Sequence, residues 1–160
     1  MASTNPIALK IVIVGAGIAG FSAAIAFRRA GHTVDIYERS GLNNEIGAAI
    51  HVAPNASRGL LEWGLDPVGA RFVTATSNKR MDGANLTVFS ENNNKDVPQK
   101  YGAPWFFAHR VDLHTELKRL ATQTDGPGIP AVVHLRSEIV KYVGSPQKLR
   151  EKNTQAPRKN

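Results

Sequence analysis

Ile11-Val12-Ile13-Val14 is an unbroken β-branched run, the pattern of a strand buried on both faces of a parallel sheet. It stops at Gly15. Beyond the glycines, Ile18, Phe21, Ala24, Ile25 and Arg28 recur at helical spacing, with Ala19, Ala23 and Ala26 small enough to allow close approach to a sheet. Arg28, Arg29 and Gly31 supply the cations and the glycine that a helix C-terminus favours. From Thr33 to Tyr37, Val34 and Ile36 alternate with polar neighbours, which predicts a second strand ending at Glu38. Strand, helix and strand fit within about 30 residues, the size of a βαβ unit.

The pattern continues less regularly. Gly47 to Val52 reads as an extended small-and-apolar stretch, and Pro54-Asn55 opens a helix that runs through Leu60, Leu61 and Trp63 to Gly64. Arg71 to Thr76 and Leu86 to Phe89 read as strands, the second followed by a polar loop from Glu91 to Asp96. Phe106 to His109 predicts a short strand leading into a helix from Asp112 to Ala121, with Leu113, Leu117 and Leu120 as its core face. Thr124 to Pro130 is loop by composition, and Val132 to Leu135 is a strand. After Gly144 the periodicity vanishes, leaving almost nothing apolar to offset the entropy of ordering the chain. The sequence therefore predicts an α/β domain over 1–143 and a basic, disordered tail over 144–160.

Charge sharpens this division. Of the net +7, four charges come from the tail, where Lys148, Arg150, Lys152, Arg158 and Lys159 face only Glu151. The body is left weakly basic and without a clustered cationic face, so no nucleic-acid partner is expected. The absence of cysteine removes disulfides, thiolate metal sites and a cysteine nucleophile, and fits a reducing, cytoplasmic location. His109 and His114 are the only close histidines and do not share a helical face, so no metal site is predicted. The uncharged stretch Ile11 to Phe27 is shorter than the roughly 20 apolar residues a membrane span requires, and three glycines interrupt it, so no membrane partner is expected.

Gly15-Ala16-Gly17-Ile18-Ala19-Gly20 has the spacing of a dinucleotide fingerprint, and each glycine has its own task. Gly15 permits the tight turn off the strand, Gly17 lets the backbone approach a pyrophosphate, and Gly20 lets the helix pack close to the strand. The helix N-terminus then turns its amides and positive dipole end toward the phosphates. Glu38 stands about 20 residues on, at the end of the second strand, where a carboxylate accepts hydrogen bonds from both ribose hydroxyls. That favours an unphosphorylated ribose, as in FAD or NAD. The bland alternatives are a ligand-free glycine turn and an exposed strand-end glutamate.

Two further segments bear on the choice of cofactor. Glu38-Arg39, then Gly47-Ala48-Ala49-Ile50-His51-Val52-Ala53-Pro54-Asn55-Ala56, resembles the group A flavin monooxygenases, the salicylate-hydroxylase-like aromatic hydroxylases. Ala49 stands where that family usually has a second glycine. His109-Arg110-Val111-Asp112-Leu113-His114-Thr115-Glu116-Leu117 is similar to the family's His-Arg-x-x-Leu-His-x-x-Leu, whose arginine contacts FAD. By resemblance Arg110 takes that role, with a salt bridge to a neighbour as the alternative.

The resemblance implies a Rossmann-like FAD-binding domain, incomplete relative to the family, from an enzyme that hydroxylates an aromatic or polyketide-like small molecule with NAD(P)H and O2. The family's later Gly-Asp motif and substrate domain have no counterpart before the polar tail. The implied cofactor-binding set is Gly15, Gly17, Gly20, Glu38, Ala49 and Arg110, with no catalytic residue assigned and the oligomeric state open. A catalytically silent nucleotide-binding module is the other class of function.

Overall fold

The computed structural model describes residues 7–42, 47–143 and the backbone of 149–153. Along the chain run β1 (Lys10–Val14), α1 (Ile18–Arg29), β2 (Thr33–Glu38), β3 (Ala49–Val52), α2 (Pro54–Glu62), β4 (Val73–Thr74) and β5 (Ser77–Met81). Then follow β6 (Val88–Asn93), α3 (Val97–Tyr101), β7 (Phe106–His109), α4 (Arg110–Thr122), β8 (Val132–Leu135), β9 (Ser137–Tyr142) and β10 (Leu149–Asn153). These elements form two units, one from Met1–Ile46 with Leu117–Asn160 and one from Gly47–Glu116.

The first unit contains the βαβ element that the hydrophobic pattern predicts. β1 and β2 pair in parallel from Lys10 opposite Thr33 to Val14 opposite Tyr37, and β8 adds to β2 in parallel from Asp35 opposite Val132 to Glu38 opposite Leu135. The strand order is β1-β2-β8. Phe21, Ala24, Ile25 and Arg28 form the buried stripe of α1, and Val34 and Ile36 are the buried side of β2. The expectation that β1 is buried on both faces is wrong: Val14 is 65% exposed. Ile11, Val12 and Ile13, which alternate between the two faces, are all half-buried, and exposure rises at the strand ends, where Val14 leads into the glycine turn.

Arg28 departs furthest from the sequence reading. It is 2% exposed, and its guanidinium donates to the carbonyls of Leu120 (2.8 Å), Ala121 (3.1 Å), Gln123 (3.1 Å) and Gly128 (3.0 Å). It therefore caps the C-terminal end of α4 and the loop after it, satisfying carbonyls that the helix itself leaves without donors. Burial lowers its pKa, since desolvation disfavours the cation.

β9 pairs antiparallel with β10 through a register shift at Arg150/Glu151. The expectation of a structureless tail is corrected at Leu149–Asn153, which forms a strand. A two-stranded ladder satisfies backbone groups whatever the side-chain pattern, so the loss of periodicity gives no warning of it. The rest of 144–160 lies outside the described residues.

In the second unit, β7 pairs antiparallel with β3 and with β4, and β5 with β6 forms a separate hairpin. Val52, Leu60, Phe106, Ala108 and Leu113 are buried here. The sequence places a strand from Arg71 to Thr76, but only Val73–Thr74 pairs, Arg71 being held at φ 57. Leu86, at φ 60, belongs to the turn between β5 and β6, so β6 starts later than expected and runs to Asn93, into residues the composition assigns to a loop. β5 and α3 are not foreshadowed, and α4 begins at Arg110 rather than Asp112. Among the described residues, no helix is long and apolar enough to cross a membrane. Nor does any group of three or more His, Cys, Asp or Glu there have the arrangement to hold a metal.

Candidate nucleotide-binding site

The turn after β1 is shaped by its glycines. Gly15 sits at φ +98, a conformation L side chains rarely adopt, and its amide donates to the Tyr37 carbonyl at 2.8 Å, which keeps the turn against β2. A Cβ on Gly20 would run into the carbonyl of Gly15, so α1 approaches β1 as closely as it does only because position 20 lacks a side chain. Gly17 is different. Its φ of −78 and ψ of −175 suit any residue, and a Cβ there would meet nothing within 4 Å. The space over Gly17 is open, which is the clearance a pyrophosphate needs.

Gly17 is also the N-cap of α1, and the helix has neither a side-chain cap hydrogen bond nor an acidic residue in its first turn. A helix of twelve residues thus presents its first amides and positive dipole end to an unobstructed surface, an arrangement that suits an anion.

Glu38 closes the site from β2. Its Oε2 accepts from the Ala16 amide at 2.9 Å and its Oε1 from the Ser40 amide at 2.8 Å. Burial raises the Glu38 pKa, but the Ala16 and Ser40 hydrogen bonds outweigh it and hold the carboxyl below its ordinary value. Ala16 is fully buried, so Glu38 gives a partner to an amide that water does not reach. The sequence reading assigns Glu38 to a ribose and does not foresee this second task. An ionised carboxylate has about four acceptor positions, so beyond its Ala16 and Ser40 contacts Glu38 keeps capacity for a ribose hydroxyl.

The stability consequence has a definite sign. A carboxylate held below its ordinary pKa stabilises the folded state above that value and loses the contribution as pH falls through the folded one. Melting temperature measured between pH 6 and pH 3 is expected to fall steeply from about pH 4, the ordinary glutamate range, downward. In Glu38→Gln the slope is expected to be shallower, and an identical slope would show that Glu38 does not carry the effect.

Beside this site, Asp35 accepts from Lys10 Nζ (3.1 Å) and approaches His134 Nε2 (2.9 Å), and the His134 ring stacks on Tyr37 at 4.4 Å. Burial raises the Asp35 pKa, but hydrogen bonds from His134 and Lys10 prevail and lower it. This cluster becomes visible only once β8 is known to pair with β2.

Ala49 and Arg110 belong to the second unit. Ala49 is exposed on β3 opposite His109, and the Arg110 amide donates to the Ala48 carbonyl at 2.9 Å, tying the start of α4 to β3. The close approach in this segment occurs at Gly47, where a Cβ would collide with the His109 imidazole. The structure thus brings Gly15, Gly17, Gly20 and Glu38 together in one unit and Ala49 with Arg110 in the other.

A family model described as pyridine nucleotide-disulphide oxidoreductase matches residues 9–122. The chain belongs to that family. Among curated relatives, a FAD-dependent monooxygenase of Aspergillus candidus is 47% identical over 135 residues, covering 84% of this chain and 31% of the relative. Hispidin-3-hydroxylase of Neonothopanus nambi is 41% identical over 131 residues, covering 82% and 31%. Among solved structures, the tetrameric form of 2-methyl-3-hydroxypyridine-5-carboxylic acid oxygenase aligns with a TM-score of 0.67 at 25% identity, covering 85% of this chain and 33% of that one. The HpxO protein of Klebsiella pneumoniae, solved with FAD and uric acid, shares the fold with a TM-score of 0.67 at 22% identity, covering 83% and 32%.

This pyridine nucleotide-disulphide oxidoreductase family member thus spans about a third of the length of the relatives it matches. The matched segment contains all six residues the sequence assigns to the cofactor, Gly15, Gly17, Gly20, Glu38, Ala49 and Arg110.

Proposed function

We propose that the chain binds FAD and is the FAD-binding portion of a monooxygenase that hydroxylates an aromatic or polyketide-like small molecule with NAD(P)H and O2. The observation that carries the reading is the uncapped start of α1 beneath the open space at Gly17, with Glu38 held beside it through the Ala16 amide. The donor set fits the group. Gly15, Gly17 and the first amides of α1 would hold the pyrophosphate, Glu38 would accept from the ribose hydroxyls, and Arg110 and the Ala49 segment would complete the contacts by resemblance. When bound, FAD supplies two-electron redox chemistry and the activation of oxygen. The residues of the first unit would bind and orient its nucleotide half. A cytoplasmic location belongs to the same proposal, supported by the lack of cysteine.

Titration of the purified chain with FAD and with NAD, followed by flavin fluorescence and calorimetry, tests the proposal. FAD is expected to bind the more tightly. Glu38→Ala is expected to weaken it by about 1 to 3 kcal/mol, the scale of charge-assisted hydrogen bonds. Because the same change leaves the Ala16 amide without its acceptor, a melting curve of the variant separates lost folding from lost binding. Equal FAD affinity for the wild type and a folded Glu38→Ala would remove Glu38 from the site.

A further inference from the structure

Glu38 is held by two amides, one on each oxygen: Ala16 at Oε2 and Ser40 at Oε1. The Ser40 amide would be a loose anchor if the loop after β2 were free to move. It is tied down, because the Ser40 carbonyl accepts from the Arg136 amide at 3.1 Å. Arg136, far along the chain, is the single residue between β8 and β9.

Arg136 stands at φ 54, in the left-handed region that residues other than glycine rarely enter. Such a conformation costs free energy and persists where its surroundings over-determine it. Here they do. Leu135 lies opposite Glu38 in the β2–β8 ladder, and its carbonyl accepts from the buried Ser137 hydroxyl at 3.1 Å. One residue earlier, His134 Nε2 lies 2.9 Å from Asp35 Oδ1. The end of β8 is thus fixed against the end of β2, and the left-handed residue that follows carries the amide that meets Ser40. The Arg136 side chain is exposed, so this contact belongs to the backbone rather than to the guanidinium.

We propose that the β8–β9 turn positions the Glu38 carboxylate for the ribose, with Arg136 and Ser40 as positioning residues that act through their backbones. The terminal torsion of glutamate is broad, so one anchored oxygen would leave the carboxylate plane to turn. Anchors on both oxygens fix that plane and the direction of the remaining lone pairs. A carboxylate already oriented loses less freedom when a ribose hydroxyl arrives. The proposal takes its ligand from the FAD reading above, while the relay from Arg136 through Ser40 to Glu38 stands without a ligand.

In the full chain, Arg136→Gly and Arg136→Val separate backbone from side chain. Both keep the amide, but glycine enters the left-handed region freely and a β-branched residue resists it. The first readout needs no nucleotide: a ¹³C titration of the Glu38 carboxyl, assigned with Glu38→Gln. Burial raises this pKa and the Ala16 and Ser40 bonds lower it, so Arg136→Val is expected to titrate at higher pH than the wild type and Arg136→Gly like the wild type. The second readout compares ADP with 2′,3′-dideoxy-ADP. The wild type and Arg136→Gly are expected to prefer ADP on the order of tenfold, and Arg136→Val by about threefold or less with its dideoxy-ADP affinity kept. Ser40→Pro, at an exposed position, deletes the amide itself and repeats both measurements should valine unfold the chain. An unmoved Glu38 titration in a folded Arg136→Val or Ser40→Pro protein would overturn the relay, as would an Arg136→Gly protein that loses as much as Arg136→Val. A shifted titration with an unchanged preference for ADP would overturn the role at the ribose. A wild type that binds neither nucleotide would refute the FAD reading and the ribose role with it, and the carboxyl titration tells that failure from the first.

Discussion

Gly17→Val leaves the chain folded and unable to hold FAD. The two halves of this expectation come from separate observations. Gly17 has an extended backbone conformation that valine adopts freely, and its Cβ would point into empty space, so the folded state meets no clash. That same space is where a pyrophosphate must come to reach the first amides of α1. A side chain there holds the anion away from them. Charge-assisted hydrogen bonds are worth about 1.5 to 3 kcal/mol each, so the loss of two weakens binding by about a hundredfold or more. The contrast is Gly20→Val, whose side chain would be driven into the Gly15 carbonyl. That variant is expected to lose stability as well as binding, by about 1 to 3 kcal/mol or more for overpacking. Melting curves and FAD titrations of both proteins separate the cases. A Gly17→Val protein that melts like the wild type and binds FAD like the wild type removes the α1 N-terminus from the proposed site.

How far the sequence foretells this site depends on the range of the interaction. The β1-α1-β2 unit is legible because its signals are local: a β-branched run, three glycines with distinct duties, an apolar stripe at helical spacing and an alternating strand. Leu113, Leu117 and Leu120 are read as core from their spacing and are buried in the structure. What escapes the sequence depends on elements far apart along the chain. Asp35 finds His134 only through the pairing of β2 with β8. Glu38 finds the Ala16 amide only because the turn at Gly15 folds back over the end of β2. β1 looks doubly buried from composition alone, since a run of Ile and Val does not say how fully its faces are covered. β5 is missed and β6 is anticipated only at Val88 and Phe89, because Lys79, Arg80, Glu91 and Asn92 have no period-2 apolar face, and their ladder is maintained by backbone bonds across an exposed hairpin.

Arg28 illustrates both sides of that limit and carries the largest expected stability effect. It falls on the helical stripe with Phe21, Ala24 and Ile25, which places it inward, yet as a cation in the last turn of α1 it reads as a dipole partner. The structure favours the stripe. Its guanidinium reaches four carbonyls some 90 to 100 residues away in sequence, which no local pattern encodes. Arg28→Ala would delete four donors together with the buried stem. The Leu120 and Ala121 carbonyls, at the end of a helix, would lose this charged donor, and a cavity would open beneath α1. Lost hydrogen bonds to a charged group and a large-to-small change together predict a loss of about 3 to 5 kcal/mol. For a chain of this size that lowers the melting temperature by about 10 °C or more. Arg28→Lys is expected to recover little, because one ammonium on a flexible stem cannot span the carbonyls that a planar fork reaches together. Arg28→Met keeps most of the volume without the donors, so a Met variant falling between Ala and wild type would divide the effect into packing and hydrogen bonding. Thermal and urea melts of the three variants test this. If Arg28→Ala melts within about two degrees of the wild type, a shift worth less than about 1 kcal/mol here, the four hydrogen bonds do not secure the end of α4.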